Sequence, residues 1–182
     1  AYIEESGHAT NIIAEKAVIQ MEVRALEVDT WRDVKKRVLK CFEGAAIATD
    51  CTWEWEATEN AYAPVDPDEQ LAELWDANLR GLGRELVEVS GLGGGSTDMG
   101  NVTQVLPAIH PMIAFLGATA VPHTRNFTAS SITPAADQAT IDGATALAFT
   151  TLDVALTPDI RAHYQDLKAA RPAGATQITL EA

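Results

Sequence analysis

A chain of 182 residues is long enough for one ordinary domain or two small half-domains. Its 26 Asp and Glu against 13 Lys and Arg leave a formal net charge of -13. Such a surface repels phosphate backbones and anionic lipid, which argues against nucleic acid and membrane as partners and suits a cytoplasmic setting.

Hydrophobic residues make up 47% of the chain, the share of a normal globular core. No apolar run approaches the ~20 residues that cross a bilayer, and no basic-then-apolar leader is expected. Cys41 and Cys51 fall in an apolar helix and at a strand start, so both are expected as buried, reduced thiols.

In chain order, Ile19, Met21 and Val23 alternate with Gln20, Glu22 and Arg24, which predicts a half-buried strand over 17–24. Thr30 is the expected cap of a helix, with Asp33 reaching back to it. Trp31, Val34, Val38, Cys41, Phe42 and Ala45 give that helix one apolar face. Residues 51–57 alternate again, with Trp53 and Trp55 opposite Glu54 and Glu56. Strand, helix, strand reads as half of a small α+β sandwich.

The two prolines of the 62–67 segment mark the domain boundary, with Asp66-Pro67 as a helix start. That helix carries Leu71, Leu74, Trp75, Asn78 and Leu82 as far as Gly83. Short buried strands are expected at 86–89, 102–106 and 112–116. Thr133-Pro134 opens a long helix whose apolar face is Ile141, Ala144, Ala148, Leu152 and Ala155, and Thr157-Pro158 opens another that ends before Arg171-Pro172. The tail over 173–182 has too little apolar surface to fold by itself.

Chemistry concentrates between Gly91 and Thr124. The run from Gly91 to Asn101 is a glycine-rich turn that exposes backbone N–H groups and leads into Ser96, Thr97 and Asp98. A dinucleotide cradle needs a helix N-terminus directly after the glycines, and 101–105 reads as strand instead. Asp98 would also repel a phosphate, and no Gly-Lys-Ser/Thr is present. The turn is therefore either a plain surface loop or a loop beside a substrate or metal.

His123, on a proline-flanked loop, is the best ligand candidate, although a lone His is more often structural. His110, before Pro111, suits a packing or supporting role, and His8 and His163 read as surface residues. Arg24 is either a carboxylate clamp or a solvated strand end. Glu4-Glu5 reads as an exposed acidic turn. Spacing alone assembles no metal site: the chain has no His-x-Asp, His-Glu-x-x-His or Cys-x-x-Cys, and no Gly-x-Ser-x-Gly elbow.

Several segments taken together carry a resemblance. They are Thr10-Asn11-Ile12-Ile13, Val23-Arg24-Ala25, Glu43-Gly44-Ala45-Ala46, Ala48-Thr49-Asp50-Cys51-Thr52, Gly95-Ser96-Thr97-Asp98-Met99-Gly100-Asn101-Val102, Ile109-His110-Pro111 and Pro122-His123-Thr124. In order, over about residues 9 to 170, they resemble the C-terminal part of the zinc aminoacylase and dipeptidase family, metallopeptidase family 20. The likeness is strongest to its amidohydrolases of aminobenzoyl-glutamate-like and dipeptide substrates.

The resemblance implies an α/β fold: residues 1–60 as the second half of an α+β lid and dimerisation domain, and 61–172 as the C-terminal part of an α/β zinc-peptidase catalytic domain. It implies His123 as a ligand to one or two zinc ions, and Asn11, Arg24, Ser96 and Thr97 as substrate contacts. Asp98 and His110 would support them, and a homodimer would form through the lid. The family's other ligands and its general-base Glu match nothing in this chain. The resemblance therefore implies a portion that is inactive alone and completed by an N-terminal catalytic portion, or else a non-catalytic dimerisation or binding module of the same descent.

Overall fold

A computed structural model describes residues 1–86, 97–115, 117 and 121–171. They are mostly helical, with one two-stranded sheet, and divide into two compact units, Ala1–Asn60 and Ala61–Ala182. That content is compatible with an α/β class. No residue described after Asn60 is in a strand.

In the first unit, β1 (Tyr2–Glu5) pairs antiparallel with β2 (Val18–Gln20), Tyr2 opposite Gln20 and Ile3 opposite Ile19, with an irregularity before Glu5. The expected strand over 17–24 is thus three residues long, and β1 supplies a partner that the alternation did not reveal. Helix α1 (Val28–Ala48) starts two residues before the expected Thr30 cap. The Trp31 N–H already reaches the Glu27 carbonyl at 2.9 Å, and the Trp31 indole donates to the Val23 carbonyl at 3.1 Å. Thr30 therefore lies inside the first turn.

The end of α1 is a Schellman turn. Cys51 N–H bonds the Ala46 carbonyl at 2.9 Å, Asp50 N–H bonds that of Ile47 at 3.5 Å, and Asp50 takes the left-handed φ of +53° that an aspartate tolerates.

Residues 51–57 form no strand. They lie along α1 through their rings instead: Trp53 stacks on Phe42 at 6.5 Å between centroids, and Lys35 Nζ sits 4.6 Å from the Trp55 ring and 5.2 Å from that of Trp31. Both cysteines are free and exposed, against the expectation of burial. On α1 the inward side passes through Phe42 and Ala46, which turns Cys41 outward.

In the second unit, α2 (Glu69–Gly81) begins after the expected Asp66-Pro67 start, because Asp68 is the cap and accepts the Leu71 N–H at 2.9 Å. Its last turn closes on Gly83 at φ +80°, with Arg84 N–H on the Leu79 carbonyl at 3.1 Å. Short helices α3 (Met99–Thr103) and α4 (Arg125–Ser130) precede α5 (Pro134–Leu156) and α6 (Pro158–Ala170). Thr133 caps α5 as expected, accepting from Ala136 N–H at 3.3 Å.

The core sits where α2 meets α5. Trp75 and Leu79 bury against Ala146, and Leu82, Leu86, Ile109 and Ile113 close around them. Bulky α2 residues select small ones opposite, so α5 buries Ala136, Ala139, Gly143, Ala146 and Thr150. The expected face through Ile141 and Leu152 points away, with those side chains 59% and 49% exposed.

Polar ties reinforce the junction. Asn78 Nδ2 donates to Thr150 at 3.2 Å and to Asp153 at 2.8 Å. Arg84 pairs with Asp142 at 2.8 Å and also donates to the Ala114 carbonyl at 2.7 Å. That last bond is one reason 112–115 is no strand: a side chain takes the carbonyl that a ladder would need. Met112 is 80% exposed while Ile113 faces the core. The 102–106 strand is also absent, because α3 and a following turn occupy it. The expected 86–89 strand and the 173–182 tail lie almost wholly outside the described residues.

By length and composition α5 is apolar enough to cross a membrane. This corrects the expectation that no segment qualifies. Threonines and Asp142 interrupt any unbroken apolar run, but a hydropathy average spans them.

Candidate functional site

The glycine turn is described only from Thr97 onward, so Ser96 lies outside the described residues. The segment after the turn is fixed by a clamp on residues 61–66. Gly100 is buried against the backbone there, and a Cβ at this position would overlap the Ala63 carbonyl oxygen. Asn101 accepts the Ala63 N–H at 2.6 Å and donates to the Ala61 carbonyl at 3.3 Å. Thr103 Oγ accepts the Asp66 N–H at 2.9 Å, and Gln104 donates to the Pro64 carbonyl at 2.9 Å. These are backbone groups that would otherwise be stranded in partly buried surroundings.

Reading 101–105 as strand missed these four residues. Gly100, Asn101, Thr103 and Gln104 recur at helical spacing, which puts them on one side of α3, and that was the available signal.

The clamp holds Thr97 and Asp98 at the start of α3. Thr97 Oγ bonds Met99 N–H and the Asp98 carboxylate, both at 3.3 Å, while Asp98 makes no side-chain cap bond and is exposed. A helix and not a strand follows, but it begins at Met99. Ser96, Thr97 and Asp98 stand between it and the last glycine of the run, so it is not the helix N-terminus directly after the glycines that an anion cradle needs. The repulsion from Asp98 stands.

The His110 segment is anchored to the α2–α5 core, and the His123 segment leads into α4. His110 is exposed between Pro111 and Ile109, which packs on the Trp75 cluster. His123 is exposed with φ +67°, just before the Thr124 cap of α4. Thr124 Oγ donates to the Val121 carbonyl at 2.7 Å and accepts from Phe127 N–H at 3.2 Å. Phe127 in turn meets Phe115 at 5.4 Å between ring centroids.

In the first unit, Asn11 is exposed, and Arg24 pairs with Glu22 at 3.0 Å with more than half its side chain in solvent. Within the second unit and among the described residues, the hydrogen bond from Thr97 to Asp98 is the one that joins any two of Thr97, Asp98, His110 and His123. Among the described residues, no three His, Cys, Asp or Glu side chains converge as a metal site would require. A cleft of about 300 Å³ opens between Asp66, Asp68, Gln104 and Leu106, and it contains none of the candidates.

Comparison with known proteins gives the class. The chain is 36% identical over 159 residues to an Xaa-Arg dipeptidase of Mus musculus, covering 86% of this chain and 37% of the relative. It is 35% identical over 161 residues to an Xaa-Arg dipeptidase of Homo sapiens, covering 87% and 37%. Over 86 residues it is 36% identical to an N-acetyldiaminopimelate deacetylase of Streptococcus pneumoniae, covering 47% and 23%. The chain is related to the C-terminal part of the amidohydrolases of metallopeptidase family 20. It spans little more than a third of the length of the dipeptidases it matches. No family model and no solved structure matches it.

Proposed function

We propose that this chain is the C-terminal portion of a metal-dependent amidohydrolase acting on the amide bond of dipeptides or N-acyl amino acids, and that it is inactive alone. The observation that carries this is identity of 36% and 35% to two Xaa-Arg dipeptidases over 86% and 87% of the chain. In this reading residues 1–60 are lid and 61–172 belong to the catalytic domain. Asn11, Arg24, Ser96 and Thr97 face the substrate, with Asp98 and His110 supporting them. The relatives' names point to a dipeptide ending in arginine, and a chain of charge -13 suits a cationic substrate in a cytoplasmic setting.

Zinc is the cofactor that the family likeness implies. The described residues do not fit a complete site for it, since no three candidate donors converge. His123, exposed just before α4, would be a single donor to a centre completed from elsewhere.

The test mixes this chain with the separately expressed remainder of a dipeptidase relative, supplies zinc, and follows hydrolysis of Xaa-Arg dipeptides. Turnover in the mixture, absent from either part, is expected. Turnover by this chain alone overturns the claim of inactivity, and no turnover in any mixture overturns the amidohydrolase reading.

A second reading, homodimerisation through the first unit, has one observation in its favour. Trp53 and Trp55 lie 39% and 45% exposed on a segment that is not in a sheet. Sedimentation of the chain and of Trp53→Ser/Trp55→Ser decides it: a dimer lost in the variant supports it, and a monomer throughout ends it.

A further inference from the structure

The side-chain amide of Asn101 closes on the backbone of residues 61–63 from both ends. Its Oδ1 accepts the Ala63 N–H at 2.6 Å, and its Nδ2 donates to the Ala61 carbonyl at 3.3 Å. A carboxamide, with an acceptor and a donor side by side, matches an N–H and a carbonyl offered together. Aspartate would keep the acceptor and lose the donor, and leucine, close to asparagine in shape, would lose both.

These bonds reach the candidate site through the backbone of α3. The Asn101 N–H donates to the Asp98 carbonyl at 2.9 Å, and the Gly100 N–H donates to that of Thr97 at 3.1 Å. Both donors are fixed against residues 61–63, Gly100 by its backbone contact with Ala63 and Asn101 by its amide. The Thr97 Oγ accepts in addition from the N–H of Met99, the first residue of the same helix, at 3.3 Å. All of these residues belong to the second unit. A helix of five residues does not hold its own direction, so contacts outside it must, and the Asn101 amide supplies two of them.

We infer that Asn101 is a positioning residue for the amide-hydrolysing site, acting through Thr97. The Asn101 amide is spent on backbone, so it works by setting the turn that carries the Thr97 hydroxyl and not by meeting a substrate. Without its bonds α3 loses its reference to residues 61–63, and the hydroxyl samples more than one direction. A misplacement of about 1 Å at a group facing the substrate costs on the order of a hundredfold in rate. The inference rests on the reading of the chain as the C-terminal portion of an amidohydrolase.

The test compares Asn101→Leu, Thr97→Val and the double variant in mixture with the dipeptidase remainder and zinc, at a temperature where dichroism shows each chain folded. Each single change should lower kcat/KM roughly tenfold or more, and the double variant should lose no more than the larger single loss, because both act through one hydroxyl. A merely structural role predicts losses that multiply. Multiplied losses overturn the inference, as does an Asn101→Leu chain that turns over like the parent. If Asn101→Leu does not fold, Asn101→Asp, which keeps the acceptor for the Ala63 N–H, takes its place in the same cycle.

A second readout needs no turnover. In this chain alone, scalar couplings within the Thr97 side chain should report one rotamer in the parent and averaging in the Asn101 variant. Those of Thr124, which caps α4, should stay as they are. Averaging at Thr97 in the parent, a single rotamer retained in the variant, or averaging that spreads to Thr124 overturns the inference. If even the parent mixture is inactive, the amide-hydrolysis reading fails by itself, and the couplings still decide whether Asn101 orients Thr97.

Discussion

Gly100 and Ala63 meet backbone to backbone: the Gly100 Cα occupies space that any side chain would contest with the Ala63 carbonyl oxygen. Two effects oppose each other in Gly100→Ala. Alanine favours the helix by about 1 kcal/mol, while overpacking against rigid backbone costs about 3 kcal/mol. The second wins, so a net loss near 2 kcal/mol in urea unfolding is expected. Because α3 also carries Asn101, Thr103 and Gln104 onto residues 61–66, amide exchange at Ala63 and Asp66 should quicken in the variant. An unchanged urea midpoint would contradict the contact.

The Asp142 carboxyl is held below the usual carboxylate range, first by the Gln138 amide and then by the Arg84 guanidinium. A depressed native value stabilises the fold above the unfolded value, which is about 3.9. That contribution disappears as pH falls through the lower native one. Asp142→Asn should therefore unfold at lower temperature than the parent at pH 6, and the gap should close as the pH is taken well below 4. A gap independent of pH would show that the variant acts through packing alone.

Tyr164 gives the opposite sign. Burial, reinforced by the Asp68 carboxylate that its hydroxyl bonds at 2.6 Å, raises its value above that of a free phenol. A raised native value stabilises the fold fully below the unfolded value of about 10 and is lost as pH climbs above it. Tyr164→Phe should cost about 1 kcal/mol at pH 8, the worth of one hydrogen bond. Urea midpoints taken at rising pH should converge above pH ~10. Asp68 would still cap α2 through Leu71 in the variant, so far-ultraviolet dichroism should not change.

These two pairs show what could be read from the sequence and what could not. The helix starts at Thr133-Pro134 and Thr157-Pro158 were legible because a cap and a fixed proline φ are local signals. The buried side of α5 was not. A helix with alanine, glycine and threonine on one side and Ile141 and Leu152 on the other offers two apolar faces, and only the bulk of Trp75 on α2 chooses between them. The alternation at 51–57 and the apolar run at 112–116 were real, but a strand also needs a hydrogen-bonding neighbour. There α1's rings and the Arg84 side chain are the partners instead. The candidate residues were legible as types, whereas the clamp that orients Thr97 and Asp98 depends on contacts some 40 residues away in sequence.

His123 is where backbone and chemistry can be separated. Its φ of +67° is uncommon for a residue with a side chain and costs about 1 kcal/mol or more. Glycine removes that cost but loses more conformational entropy on folding, by about 0.5–1 kcal/mol, so His123→Gly should leave the thermal midpoint nearly unchanged. His123→Val puts a β-branched residue in the left-handed region and should lower stability by about 1–2 kcal/mol. If His123 serves only the turn, His123→Gly will support turnover in the mixture with a dipeptidase remainder as well as the parent does. If its imidazole is the donor this chain supplies, turnover should fall at least a hundredfold in both variants while only the valine variant is destabilised. A fully active glycine variant would remove His123 from the site and leave Thr97 and Asp98 as the residues to pursue.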